Sequence, residues 1–335
     1  MDSTKQHILI VGAGSVGKRH AQNLSGVGCS ISCFDPRSDR CDELESLVQV
    51  ENRFDSLDSA LRDNKSGYDG AVICSPPSFH VKQCLALIDQ DIPILLEKPV
   101  SPDLSGAEQL LNACKHSKVP LLLGYTYRWW EPLKRARELL YDGAIGDVRH
   151  ITFVMSAHLA DWHPWEDYRD FFMASKGLGG GALLDESHWV DIMLWFFGMP
   201  QNVFARIDKI SSLEIDSDDN VDMIFEYRDG KRVTMHLDLY GRPHEKYIKF
   251  VGEEGTLTWT VDPNKIETSK SANGDWESEE FQCERNDMFM AVGKEFLKCI
   301  GGAPVDTCHI GDGVNVLKVI DAARRSSMLQ QIVQI

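Results

Sequence analysis

The chain has 335 residues, with 35 lysines and arginines against 51 aspartates and glutamates, a formal net charge of −16. That field repels a phosphate backbone and an anionic bilayer alike, which excludes nucleic acid and membrane as expected partners. The length exceeds what one hydrophobic core usually supports, so two domains are expected. Nine cysteines, an odd number without Cys-x-x-Cys spacing, suggest neither a disulfide framework nor a zinc ribbon and fit a reducing cytoplasm.

The polar start, Met1 to Gln6, runs into an apolar stretch too short for a secretory signal or a membrane span, so a soluble, unprocessed chain is expected. That stretch, 8–11, reads as a strand, followed by a glycine turn and a helix-like segment through Leu24, the opening of a βαβ unit. Further short strands at 30–34, 71–74 and 92–96 stop at Asp35-Pro36, Ser75-Pro76-Pro77 and Glu97-Lys98-Pro99. Helical periodicity over 106–115 and a fifth strand at 119–123 complete a mostly parallel sheet.

Near Gly124 the pattern changes, which divides the chain into domains 1–124 and 125–335. Longer strands follow at 148–157, 202–210, 221–227, 232–240 and 246–251, with Asp229-Gly230 as a hairpin turn. Among them lie an aromatic loop, 162–172, a glycine run, 177–181, and an apolar helix, 182–197. The acidic stretch 214–222 lacks the ligand order of a calcium loop and reads as solvated, and helices over 284–300 and 314–328 end the pattern. The expected class is α/β: an N-terminal Rossmann domain with a doubly wound parallel sheet, then a C-terminal α+β domain with a large, mostly antiparallel sheet.

Gly12-Ala13-Gly14-Ser15-Val16-Gly17 follows a strand and opens a helix, so backbone amides can approach a pyrophosphate at the positive helix end. Asp35 stands at the end of the second strand, roughly 20 residues on, where a carboxylate binds the adenosine ribose. A carboxylate there repels a 2′-phosphate and favours NAD, although Arg37 and Arg40 follow closely enough to recruit NADP. The plainer alternative is that Asp35 only starts a turn before Pro36.

These residues, with Ser75-Pro76-Pro77-Ser78-Phe79-His80, Glu97-Lys98-Pro99 and Gly179-Gly180-Gly181-Ala182-Leu183-Leu184-Asp185-Glu186-Ser187-His188, resemble the Gfo/Idh/MocA oxidoreductase family along nearly the whole length. The resemblance implies an NAD(P) domain, a sheet domain lining the active site, and sugars, cyclitols or nucleotide-sugars as substrates. It also implies a homodimer or homotetramer formed through the open face of the C-terminal sheet. Within that pattern Ser75, Pro76, His80, Glu97 and Lys98 are expected at the cofactor, with helix capping at Ser78 as the bland alternative for that loop.

Oxidising a secondary alcohol requires hydride loss while another group removes the hydroxyl proton. Lys98, at a strand's carboxyl end before Pro99, faces the crevice where such sheets bind ligands, and His188 is the family's acid–base histidine by resemblance. Asp185, three residues before His188, is the candidate to orient the imidazole, with Asp191 an equally spaced rival. Some family members place this Asp four residues before the His, which leaves the role of Asp185 open.

Tyr125 and Arg128 fall at the domain junction as candidate substrate contacts, although Tyr125 equally suits hinge packing. In the aromatic loop Trp165, Tyr168 and Arg169 are candidate substrate residues, Arg169 for a carboxylate or diphosphate, or else tied to Asp167 or Asp170. His158, Asp161 and His163 carry metal-binding donors, but no second cluster supports them and no metal is expected.

The expected activity is thus hydride transfer between a nicotinamide cofactor and a sugar-like alcohol or ketone. The alternatives are an NAD-dependent glycosidase or eliminase using transient oxidation, and a non-catalytic NAD(P)-binding sensor.

Overall fold

A computed structural model describes residues 5–62, 67–162, 164 and 166–335. The chain forms two compact units: residues 1–126 together with 284–314, and residues 127–283 together with 315–335. Where a contiguous division at 124/125 was expected, a late segment returns to the first unit.

Among its described residues the first unit is built on six parallel strands, β1 (His7–Val11), β2 (Ser30–Phe34), β3 (Val50–Phe54), β4 (Gly70–Ile73), β5 (Ile94–Glu97) and β6 (Leu121–Gly124). Their spatial order is β3-β2-β1-β4-β5-β6, the doubly wound arrangement whose strand order reverses between β1 and β4. β4, β5 and β6 are buried along their whole length because helices cover both faces of such a sheet, so they read as apolar runs. β3, Val50-Glu51-Asn52-Arg53-Phe54, escapes sequence reasoning: it is an edge strand whose three central residues are exposed and polar.

The helix Arg285–Ile300 begins with a reciprocal cap between Glu284 and Asp287. It belongs to the first unit because Asn286 and Asn23 exchange side-chain hydrogen bonds of 3.0 and 3.1 Å, and because Phe296 and Ile300 lie on Gly70. A Cβ at Gly70 would come within 2.8 Å of both side chains.

The second unit carries nine strands among its described residues: β7 (Val148–Ser156), β8 (Asn202–Asp208), β9 (Asn220–Glu226), β10 (Arg232–Asp238), β11 (Glu245–Gly252), β12 (Thr256–Thr260), β13 (Lys265–Ser269), β14 (Glu277–Glu280) and β15 (Val333–Gln334). Their order is β14-β13-β12-β11-β7-β10-β9-β8-β15, and every pair is antiparallel except β7 with β10. Asp229-Gly230 makes the expected hairpin, with Gly230 at φ 89°. Alternation sends Val221, Met223 and Phe225 of β9 and Val233, Met235 and Leu237 of β10 inward. Trp189 and Phe196, on the helix Ser187–Phe197, pack edge-on or tilted against Phe153, Trp259 and Phe250 of this covered face. β12, β13 and β14 extend the sheet beyond the expected set; β14, Glu277-Ser278-Glu279-Glu280, is exposed throughout and carries no apolar signal.

The apolar helix expected over 182–197 is broken. Ala182–Asp185 and Ser187–Phe197 are separate helices joined at Glu186, whose φ −90° and ψ 19° leave the helical region. The acidic stretch is only partly solvated: Glu214 and Asp216 are exposed, but Asp219 is fully buried and accepts the backbone N–H groups of Ile210 and Ser211. Among the described residues no helix is long and apolar enough to cross a membrane.

On the open face of the sheet His236 lies between two carboxylates, Nε2 at 3.0 Å from Asp238 and Nδ1 at 2.7 Å from Asp222. The bond to Asp238, reinforced by Asp222 against partial burial, pushes the imidazole pKa up from 6.5 to about 9. A pKa raised on folding contributes stability that is fully present below pH ~6.5 and is lost as pH rises through about 9. Thermal melts between pH 6 and 10 should therefore show a fall that is shallower in His236→Gln; parallel slopes in the two proteins would refute this assignment.

Candidate active site

In the first unit the site begins where β1 ends. Gly12 sits at φ 96°, and its N–H donates to Phe34 O at 2.8 Å. A Cβ there would stand 2.7 Å from the Ser75 amide, and one on Gly17 would run into the Gly12 carbonyl, so only glycine lets the helix Ser15–Gly26 close on this turn. That helix starts at Gly14 with no side-chain cap and no acidic residue in its first turn, which leaves its N–H groups, those of Ser15, Val16 and Gly17 first, available to an anion. Asp35 is more than a turn residue: Oδ2 accepts Ala13 N–H at 2.7 Å and Oδ1 accepts Arg37 N–H at 2.9 Å, which fixes the carboxylate beside the glycine turn.

Several expected cofactor contacts are turned elsewhere. Arg37 lays its fork on Asp39, with bonds of 3.2 and 2.5 Å, so it is committed within its own segment. His80 is buried, with ring nitrogens 2.7 Å from the carbonyls of Ser75 and Pro99; burial pushes its pKa down, against the pull of those two carbonyls. It braces the loops after β4 and β5, and neither ring nitrogen is turned to a ligand. Ser75 donates to Gln83 at 2.5 Å, while Pro76 caps the helix Pro77–Ile88 and Ser78 lies inside its first turn, so no capping by Ser78 occurs.

Glu97 is likewise buried, with Oε1 2.7 Å from Nε2 of the fully buried His20. His20, three residues beyond the last glycine of the fingerprint on the helix's inner face, was not anticipated. Lys98 follows half-buried at the end of β5, joined to Pro99 by a cis peptide, and Tyr125 is fully buried just after β6.

In the second unit the glycine run has a steric origin. Gly181, at φ 112°, lies where a Cβ would overlap the Asp218 carboxylate. Asp218 in turn starts the helix Ala182–Asp185: its Oδ2 accepts Leu183 N–H at 2.8 Å and its carbonyl accepts Ala182 N–H at 2.9 Å. Burial pushes its pKa up, which the Leu183 amide partly opposes.

His188 opens the next helix, its ring edge-on to Tyr127 at 5.1 Å between centroids. The break at Glu186 means that Asp185 and His188 do not share a helix, so the three-residue spacing does not put them on one face. Asp191 does share that helix, but it receives the Arg128 fork, with Nε at 3.0 Å and Nη2 at 2.7 Å, both side chains buried. Arg128, expected at the substrate, is thus one half of a buried ion pair.

Tyr168 accepts Glu214 N–H through its hydroxyl, and Arg169 grips Asp167 with bonds of 2.5 to 3.0 Å and Glu214 with one of 2.8 Å. Arg169 holds the aromatic loop to the acidic stretch, and the Asp167 carboxyl falls to about 2 beside it. Trp165 and His163 lie outside the described residues. Asp161 pairs with Arg242 at 2.6 and 2.8 Å, and among the described residues no group of three His, Cys, Asp or Glu side chains could hold a metal ion.

A glycine turn too tight for side chains, an uncapped helix end and a fixed carboxylate at the second strand fit a dinucleotide's pyrophosphate and ribose, and define a dinucleotide-binding domain of the Rossmann class. The chain belongs to the Gfo/Idh/MocA family: residues 6–125 match its oxidoreductase model, an NAD-binding Rossmann fold, and residues 133–258 match the GFO/IDH/MocA C-terminal domain. The N-terminal domain binds NAD. The myo-inositol 2-dehydrogenase of Thermotoga maritima is 25% identical over 258 residues, covering 74% of this chain and 73% of its own. Levoglucosan dehydrogenase, solved with NADH and L-sorbose, superposes with a TM-score of 0.87 at 16% identity over 99% of both chains. GenD2 from gentamicin A biosynthesis, solved with NAD, gives 0.84 at 22% identity over 100% of this chain and 97% of its own.

If Arg128 serves Asp191 and not a ligand, Arg128→Met strands a buried carboxylate and should cost about 3–5 kcal/mol in denaturant unfolding. Arg128→Met combined with Asp191→Leu should recover most of that loss. A single variant with unchanged stability and a raised KM would instead return Arg128 to the substrate.

Proposed function

We propose that this protein is an NAD-dependent dehydrogenase or ketoreductase acting on a secondary alcohol or ketone of a sugar, cyclitol or nucleotide-sugar. The observation that carries the reading is the place of Lys98: the carboxyl end of β5, next to β4 and so beside the switch point where a doubly wound sheet takes its ligand. The names of the inositol and levoglucosan dehydrogenases it resembles support the substrate class.

Bound NAD supplies the acceptor for the hydride, and NADH its donor. The Lys98 ammonium donates a hydrogen bond to the alcohol oxygen and stabilises the negative charge that grows there as the O–H bond breaks. The His188 imidazole takes the hydroxyl proton during oxidation and returns it during reduction. Asp185 remains a candidate for orienting His188 only through a contact outside the helical repeat. The uncovered sheet face, with Ile224 exposed, is the surface on which a homodimer or homotetramer would form.

The test is a turnover screen of inositols, aldoses and sugar nucleotides with NAD and NADP in parallel, following the reduced cofactor. Lys98→Met and His188→Asn should each lower kcat by about 10²–10⁴-fold, with NAD affinity changed only a few-fold. Full turnover by Lys98→Met would remove this mechanism, and product formation without net cofactor change would point to transient oxidation instead.

A further inference from the structure

Two arginines follow Asp35, and Arg37 turns to Asp39. The acids around them are already engaged: Asp35 by the Ala13 and Arg37 amides, Asp39 by Arg37, Asp42 and Glu45 by Arg53, Glu43 by Lys18. Arg40, in the first turn of the helix Ser38–Glu45, reaches back over the fingerprint, with Nη1 3.3 Å from the point a Cβ on Gly14 would occupy.

Gly14 caps the helix Ser15–Gly26, whose N-terminus carries partial positive charge and no acidic side chain. A guanidinium held over that end is repelled by it unless an anion lies between the two. In an NAD-binding domain the anion that comes to the second glycine is the diphosphate, while the Asp35 carboxylate disfavours a 2′-phosphate at the ribose.

We infer that Arg40 is a cofactor-binding residue that pairs with the diphosphate shared by NAD and NADP, and that it does not select NADP. The inference rests on the NAD reading of this domain.

Calorimetric titration of the full chain with NAD, NADP, ADP-ribose and adenosine tests it without need of a substrate. Arg40→Met should weaken NAD, NADP and ADP-ribose by a common factor of about ten- to a hundred-fold, the worth of one charged hydrogen bond, and leave adenosine unchanged. Arg40→Lys should recover part of the loss, and matching melting temperatures would show that the fold is intact. NAD and ADP-ribose affinities within two-fold of the parent would overturn the assignment, as would a loss confined to NADP, which would move Arg40 to the 2′-phosphate. A parent protein that binds neither NAD nor ADP-ribose would overturn the cofactor reading itself.

Discussion

The nucleotide half of this protein depends on one backbone contact, the approach of Gly17 to the carbonyl of Gly12 with the Ser75 amide pressed against the other side. No side chain fits in that space, so the turn and helix start at 12–17 and the distant segment at Cys74 and Ser75 meet through main chain alone. The contact sets where the helix Ser15–Gly26 starts and therefore where its free N–H groups point. It also fixes Ala13, whose amide holds Asp35. Phosphate and ribose recognition are in this sense one geometric decision, made by glycine.

Around that frame most charged side chains serve the protein. Glu97 turns to His20, Asp191 to Arg128, Arg169 to Asp167 and Glu214, and Asp218 to the amide of Leu183. Glu97 and Asp191 are buried carboxylates, stable only with their hydrogen bonds made, so their pairs lock the strand end and the helix that carry Lys98 and His188. The two side chains proposed to react thus sit on elements held in place by neighbouring pairs.

The strand–glycine turn–helix opening was legible because the fingerprint fixes turn, helix start and ligand approach together, and Asp35 fell at the spacing that the motif requires. The apolar runs of β4, β5 and β6 were legible because both faces are covered, whereas edge strands β3 and β14 bury too little to leave a pattern. The break at Glu186 was hidden by uninterrupted apolar residues on both sides of it. That Arg37 turns to Asp39 while Arg40 lies at the glycine turn is a choice of side-chain direction that spacing does not encode. Asp218 was hidden in an acidic run, since its role is created by a glycine run nearly forty residues earlier, and the attachment of 284–314 to the first unit is a purely tertiary fact.

That attachment bears on biosynthesis. The six parallel strands leave the ribosome early, but the side of the sheet at Gly70 waits for Phe296 and Ile300, and Val100 and Leu123 wait for Gly313. Since domains fold as units, the nucleotide-binding half completes its packing only after the chain has grown through the second sheet. A nascent or truncated chain that stops at Thr126 carries an apolar strip open to chaperones and to aggregation, so translation must nearly finish before the first-made half is safe.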